Sequence, residues 1–185
     1  MKLLLLASGS GTLAQAIIDA RVENKLGEVE IAAIISDRTE AEVLHRAKLA
    51  KIPSQAIPFK TPRTLWDEEL LSRVTEISPD LVASVGFMRI LGADFVKRFK
   101  VINSHPSLLP NFPGAHAVRD ALKAGVSTTG CTVHWVDQGL DSGPIIRQME
   151  IEVLPGDDEA TLHERIKIVE RKLIVDVIRE LGAKL

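Results

Sequence analysis

Scarcity is informative in this sequence. It holds one cysteine, Cys131, so no internal disulfide and no cysteine-rich zinc site can form, which suits a reducing compartment. It also lacks a basic excess. Lys and Arg total 23 against 25 Asp and Glu, a formal charge of −2, and nothing in that balance advertises nucleic acid. No apolar run approaches the roughly 18 to 20 residues of a membrane span, and the N-terminal Leu3–Ala7 run is too short for the roughly 7 to 15 apolar residues of a secretion signal. A cytoplasmic protein is expected. Repeats, linkers and low-complexity tracts are absent, and the five histidines have no metal-ligand spacing, so no metal is expected.

What is present is a regular alternation. Short apolar runs at Leu3–Ala7, Val29–Ile35, Ser54–Phe59, Leu81–Val85 and Val101–Asn103 read as buried parallel strands. Segments with helical spacing lie between them: Thr12–Leu26, Glu40–Ala50, Thr64–Ile77 with Thr64 as cap, and Gly92–Phe99. That order is an α/β doubly wound, mostly parallel sheet with helices on both faces. Thr129–Val136 and Ile145–Val153 then read as two further strands joined by the turn-rich DQGLDSG, forming a mixed edge. A last helix follows Pro155-Gly156, capped by Asp157 or Asp158, with apolar Leu162, Ile166, Val169, Leu173 and Val177 on one stripe. A chain of 185 residues is most simply one domain.

In such sheets ligands bind beyond the carboxyl ends of the strands. The first strand runs into SGSGT and then a helix, where backbone N–H groups and the helix dipole favour an anion such as a phosphate. Gly9, Gly11 and Ala14 also satisfy a dinucleotide pattern, with Asp37 placed to hold a ribose hydroxyl, so an NAD-dependent oxidoreductase is a second reading. The fifth strand ends on Asn103, Ser104 and His105, followed by Pro106 and, after SLL, Pro110. In an extended chain Asn103 and His105 share one side and Ser104 takes the other. Asn donates without changing charge and His moves protons near neutrality, a pair suited to a carbonyl oxygen becoming an oxyanion. A catalytic His wants a carboxylate, and both Asp141 and Asp137 of the late loop are candidates.

The pieces SGSGT, GFMRIL, INSHPSLLPNFPGAH and TVHWVDQGLDSGP, with the helix around Glu170, resemble the glycinamide ribonucleotide formyltransferases of the folate-dependent formyltransferase superfamily. The resemblance implies Asn103, His105 and Asp141 as a catalytic trio. It implies Gly11, Thr12 and Leu13 as the holders of the substrate phosphate through their backbone, and Glu170 as the ligand of its ribose. Arg63, Met88, Arg89, Ile90, Leu91, Asn103, Asp137 and Asp141 would line the pocket of 10-formyltetrahydrofolate, the formyl donor, and His134 matches a family histidine. Residues 1–100 would form the phosphate-binding half and 101–185 the catalytic and folate-binding half. Leu13 and Ala14 stand where relatives often carry Asn and Leu. A methionyl-tRNA formyltransferase would bring a tRNA-binding domain and a deformylase a leading regulatory domain, neither expected in this length; a sugar-nucleotide formyltransferase and a silent folate- or nucleotide-binding protein complete the alternatives. The partners implied are small molecules, with monomer and homodimer both open.

Overall fold

A computed structural model describes residues 1–184. Its centre is the LLLL of β1 (Lys2–Leu6), whose Leu3, Leu4, Leu5 and Leu6 are all fully buried. A strand that is apolar on both sides must be covered on both, and each such leucine contributes about 2 kcal/mol of burial. The cover comes from α1 (Thr12–Val22), α2 (Glu42–Leu49), α5 (Ala117–Lys123) and α6 (Glu159–Gly182) on one face, and from α3 (Arg63–Ile77) and α4 (Ala93–Arg98) on the other. Leu3 and Leu5 pack into the first core, Leu4 and Leu6 into the second.

The sheet has seven strands in the order β3-β2-β1-β4-β5-β6-β7, with β2 at Glu30–Ser36, β3 at Ser54–Ala56, β4 at Leu81–Ser84, β5 at Val101–His105, β6 at Thr128–Trp135 and β7 at Ile145–Glu152. The first five strands in chain order pair in parallel; β5–β6 and β6–β7 are antiparallel. The doubly wound sheet and mixed late edge read from the sequence are both present.

Several boundaries differ from expectation. The third strand stops at Ala56, because Pro58, one residue beyond Ile57, has no N–H for the ladder. The third helix begins at Arg63 behind Pro62, so Thr64 lies inside it and is no cap; proline suits a helix start. Of the two proposed caps on the last helix, Asp158 serves: its Oδ1 accepts from Thr161 N at 2.8 Å and its own N–H donates to Thr161 Oγ1 at 2.9 Å. Asp157 instead accepts from Leu154 N and from Arg165. Helix α5, absent from the sequence reading, is only seven residues long and follows a Pro- and Gly-rich stretch whose turn signals mask it.

One boundary shapes the site. Strand β5 runs on through Ser104 to His105 because β6 pairs beside it, matching Asn103 with His134, Ser104 with Val133 and His105 with Thr132. The polar residues are therefore ladder residues with fixed directions.

Candidate functional site

At the tip of β1 the chain turns through Ser8–Gly11 into α1. Gly11 sits at φ +69 and caps the helix without any side-chain bond. A Cβ there would stand 2.5 Å from Val43 Cγ2, so both its dihedral and its neighbour require glycine. The first turn of α1 carries no acidic side chain. Arg46 of α2 adds positive charge alongside, its Nε donating to the Ser10 carbonyl at 2.7 Å and its Nη1 to Gln15 Oε1 at 3.2 Å. Thr12 and Leu13 occupy that first turn, which is an anion-receptive end by geometry and charge.

At the tip of β5 the alternation expected from the sequence is realised. His105 is buried, with Nε2 donating to the Phe112 carbonyl at 2.8 Å and Nδ1 facing Asp141 Oδ2 at 3.4 Å. Asp141 Oδ2 also accepts the Gly114 N–H at 2.8 Å, so the carboxylate ties the loop after β6 to the loop after β5. Asp141 adopts φ +53, an unusual backbone for a non-glycine residue, which this tie maintains. Of the two aspartates left open by the sequence, geometry selects Asp141. Asp137 turns back on its own loop, its Oδ1 accepting from Gly139 N and Ser142 Oγ.

His134 completes the cluster. Fully buried on β6, it sets Nδ1 2.9 Å from the Trp135 carbonyl and Nε2 between two groups, 3.3 Å from Asn103 Nδ2 and 3.6 Å from Asp141 Oδ1. Its partner strand and register explain its presence, and neither could be read from spacing. Burial pushes the Asp141 carboxyl up, but the His134 ring, the Gly114 N–H and the charge of His105 outweigh it, and the group stays below the usual carboxylate range. Asp141 is thus an anion at neutral pH, facing two histidines.

Between the two tips runs the segment after β4. Each residue from Met88 to Ile90 is held from a different element: Met88 N donates to Ser8 Oγ at 2.8 Å, Arg89 Nε to Asp37 Oδ2 at 2.7 Å, and Arg63 Nη2 to the Ile90 carbonyl at 2.6 Å. The Arg89 guanidinium also lies 4.5 Å over the Phe59 ring. Backbone anchoring turns Met88 and Ile90 outward, where both are exposed, as is Leu140 across the late loop. Exposed apolar side chains of this kind suit a flat ring. Leu91 is half-buried against the second core. Arg63 and Arg89 are therefore engaged with the protein itself, and Arg63 also pairs with Asp67 at 3.1 Å.

That engagement bears on the dinucleotide reading. The Asp37 side chain has no exposed surface and is paired to Arg89, so it is withheld from any ribose.

Glu170 lies on α6 behind β5, 4% exposed, and Ser104 Oγ donates to its Oε1 at 2.8 Å. Burial raises its pKa to about 7, against the lowering pull of Ser104, Lys167 and Arg171. Cys131, beside it on β6, is pushed up to about 12 by burial and by the Glu170 charge, which leaves it a thiol and no nucleophile. Among the described residues, no three or more His, Cys, Asp or Glu side chains gather as metal ligands, and no helix is long and apolar enough to cross a membrane.

Both the sequence and the fold have known relatives. The formyl transferase family model matches residues 1–178. The chain belongs to that family. It is 43% identical over 183 residues to the phosphoribosylglycinamide formyltransferase of Mycobacterium tuberculosis, covering 98% of this chain and 85% of that one. With the enzyme of the same name from Bacillus subtilis it shares 36% identity, over 97% of this chain and 94% of the relative. The crystal structure of glycinamide ribonucleotide transformylase 1 from Symbiobacterium toebii superposes with a TM-score of 0.95 at 38% identity, over 100% of this chain and 88% of that chain.

Proposed function

We propose that the protein transfers the formyl group of 10-formyltetrahydrofolate to the primary amine of glycinamide ribonucleotide, a step of purine biosynthesis. The observation that carries this is the His105–Asp141 pair with Asn103 and His134 at one strand tip, in a chain matched almost end to end by phosphoribosylglycinamide formyltransferases.

In this reading the folate supplies an activated formyl carbon. The uncharged amine attacks it, a C–N bond forms, and the formyl oxygen takes up negative charge. Asn103 Nδ2 and protonated His105 donate to that oxygen. Both groups have neighbours at rest, Asn103 Nδ2 beside His134 Nε2 and His105 on Phe112 O, and each turns to an anionic acceptor as charge develops. Asp141 favours the imidazolium and assists the proton on its way from the attacking nitrogen to the departing folate nitrogen, whose bond to carbon then breaks. Gly11, Thr12 and Leu13 hold the acceptor's phosphate, and Glu170 its ribose. Met88, Ile90, Leu91, Leu140 and the Asp137–Asp141 loop enclose the donor, with the Arg63 and Arg89 side chains fixing the wall of that pocket.

Both halves share a core, since α6 packs on α1 as well as on β6 and β7, which supports one domain with the phosphate site in residues 1–100 and the chemistry in 101–185. Small-molecule substrates, a cytoplasmic setting and a monomer or homodimer fit this reading.

The test is a spectrophotometric assay of folate product with and without the ribonucleotide. Product that depends on the ribonucleotide and vanishes in His105→Ala is the expected result. Product without it would mean hydrolysis of the formyl donor, and no product with tight NAD(H) binding would overturn the proposal.

A further inference from the structure

Three consecutive polar residues end β5, yet the chemistry described above uses only two. Asn103 and His105 leave the face covered by α3 and α4, whereas Ser104 leaves the opposite face, toward α6. A serine in a buried central strand has poor β-propensity and a hydroxyl to satisfy, so its position asks for a reason. Its hydroxyl is spent on one atom, Glu170 Oε1, at 2.8 Å, across 66 residues of sequence, with Ser104 7% and Glu170 4% exposed.

A carboxylate at the end of a glutamate side chain has three rotatable bonds, and a fixed donor on one oxygen removes most of that freedom. Among the described residues, the other oxygen of Glu170 has no hydrogen-bond partner. Helix α6 also packs on α1, the helix whose first turn forms the anion-receptive end.

We infer that Ser104 is a positioning residue for the acceptor substrate: its hydroxyl holds one oxygen of Glu170 so that the remaining acceptor sites meet the hydroxyl pair of the acceptor's sugar. This rests on the reading of Glu170 as the ribose ligand. One strand end then serves two substrates through its pleat, with Asn103 and His105 turned to the reacting carbon and Ser104 turned to the carboxylate that seats the sugar.

The arrangement also sets a pH dependence. The charged groups acting on Glu170 are Lys167 and Arg171 of its own helix; β5 presents Ser104 and β6 presents Cys131. Ser104 stabilises the ionised carboxyl, so its loss moves protonation of Glu170 to higher pH. A protonated Glu170 accepts hydroxyl bonds less well, and affinity for the ribonucleotide falls at a correspondingly higher pH.

The experiment compares Ser104→Thr with Ser104→Val, which have the same shape and differ by the hydroxyl, so that packing is matched. Melting temperature, kcat and KM for each substrate are measured across the neutral pH range, together with calorimetric titration of the ribonucleotide into the enzyme. Ser104→Val should raise KM and Kd for the ribonucleotide about tenfold and shift their acid limb upward, with kcat and folate KM within about twofold of wild type. Ser104→Thr should restore ribonucleotide affinity to within about threefold. Equal ribonucleotide affinity in the two variants, or an equal loss of kcat in both, would overturn the inference while leaving the formyl-transfer reading intact. If the wild type transfers formyl but Glu170→Gln binds the ribonucleotide as tightly as it does, the inference is overturned through the role of Glu170, and a wild type that binds no ribonucleotide would remove both readings together.

Discussion

Asp141 and Glu170 are both acids sunk beside the end of β5, one meeting His105 on one face of the sheet and the other meeting Ser104 on the opposite face. Burial raises the pKa of each, but Asp141 ends below its ordinary value and Glu170 at about 7. Depth alone cannot explain opposite outcomes. Asp141 has the Gly114 N–H and two histidine rings directed at it, whereas Glu170 has one hydroxyl and two cations, Lys167 and Arg171, on its own helix. A buried carboxyl is kept ionised by the donors and charges converging on it. The contrast fits the proposed roles: the acid assigned to stabilise a cation throughout turnover is surrounded by donors, and the one assigned to accept hydroxyls from a sugar has fewer groups converging on it.

The contrast is broken most severely by Asp141→Asn, which keeps an acceptor for Gly114 N–H but removes the charge beside His105. Turnover should fall by about a thousandfold or more in a variant that still folds, because orientation and charge of the histidine are lost together. Activity within tenfold of wild type would show that the imidazolium needs no anion there. Asn103→Ala should cost on the order of 100- to 1,000-fold in kcat, the usual consequence of removing one oxyanion donor, with KM for either substrate little changed. A rise in KM at constant kcat would instead make Asn103 a ground-state contact.

His134→Ala sharpens the comparison by stripping Asp141 of one partner while leaving His105 in place. A fall in kcat of about tenfold to a hundredfold is expected, with the acid limb of the kcat profile moved to higher pH, since the His134 ring is the strongest influence holding the Asp141 carboxyl down. An unchanged profile would reduce His134 to a packing residue.

Much of this site follows from the chain's own pattern. Alternation along β5 is a property of extended backbone, so the shared side of Asn103 and His105, and the opposite side of Ser104, needed no tertiary information. The glycine at position 11 announced a tight turn for the same local reason. Choosing Asp141 over Asp137 was different, because it depends on how the loop after β6 closes over the loop after β5, and both aspartates have ordinary turn chemistry in sequence. His134 entered the site through an antiparallel register set by β6, and the Ser104–Glu170 bond joins residues whose proximity depends on α6 returning beneath the sheet. Arg63 and Arg89 mark a limit of another kind: a cation near a pocket looks free in sequence, while Asp37 two strands away, or a backbone carbonyl, decides where it points.

The gentlest test of the comparison uses stability instead of turnover. For Glu170 the folded-state pKa lies above its ordinary value of 4.5, at about 7, so the folded protein binds that proton more tightly than the unfolded chain. The associated stabilisation is fully present below about pH 4.5 and is lost as pH rises through about 7. Glu170→Gln removes the titration while keeping the shape and an acceptor for Ser104. Relative to the variant, the wild type should therefore lose about 1 to 3 kcal/mol of unfolding free energy between acidic and mildly alkaline pH, read from urea midpoints at several pH values. Asp141→Asn should diverge from wild type with the opposite sign, since a depressed carboxyl pKa stabilises the fold above its ordinary value and loses that contribution as pH falls below about 4. Parallel stability curves for wild type and Glu170→Gln would mean that water or a cation already compensates the buried carboxylate. The difference between the two acids would then lie in their reach toward substrate and not in their charge.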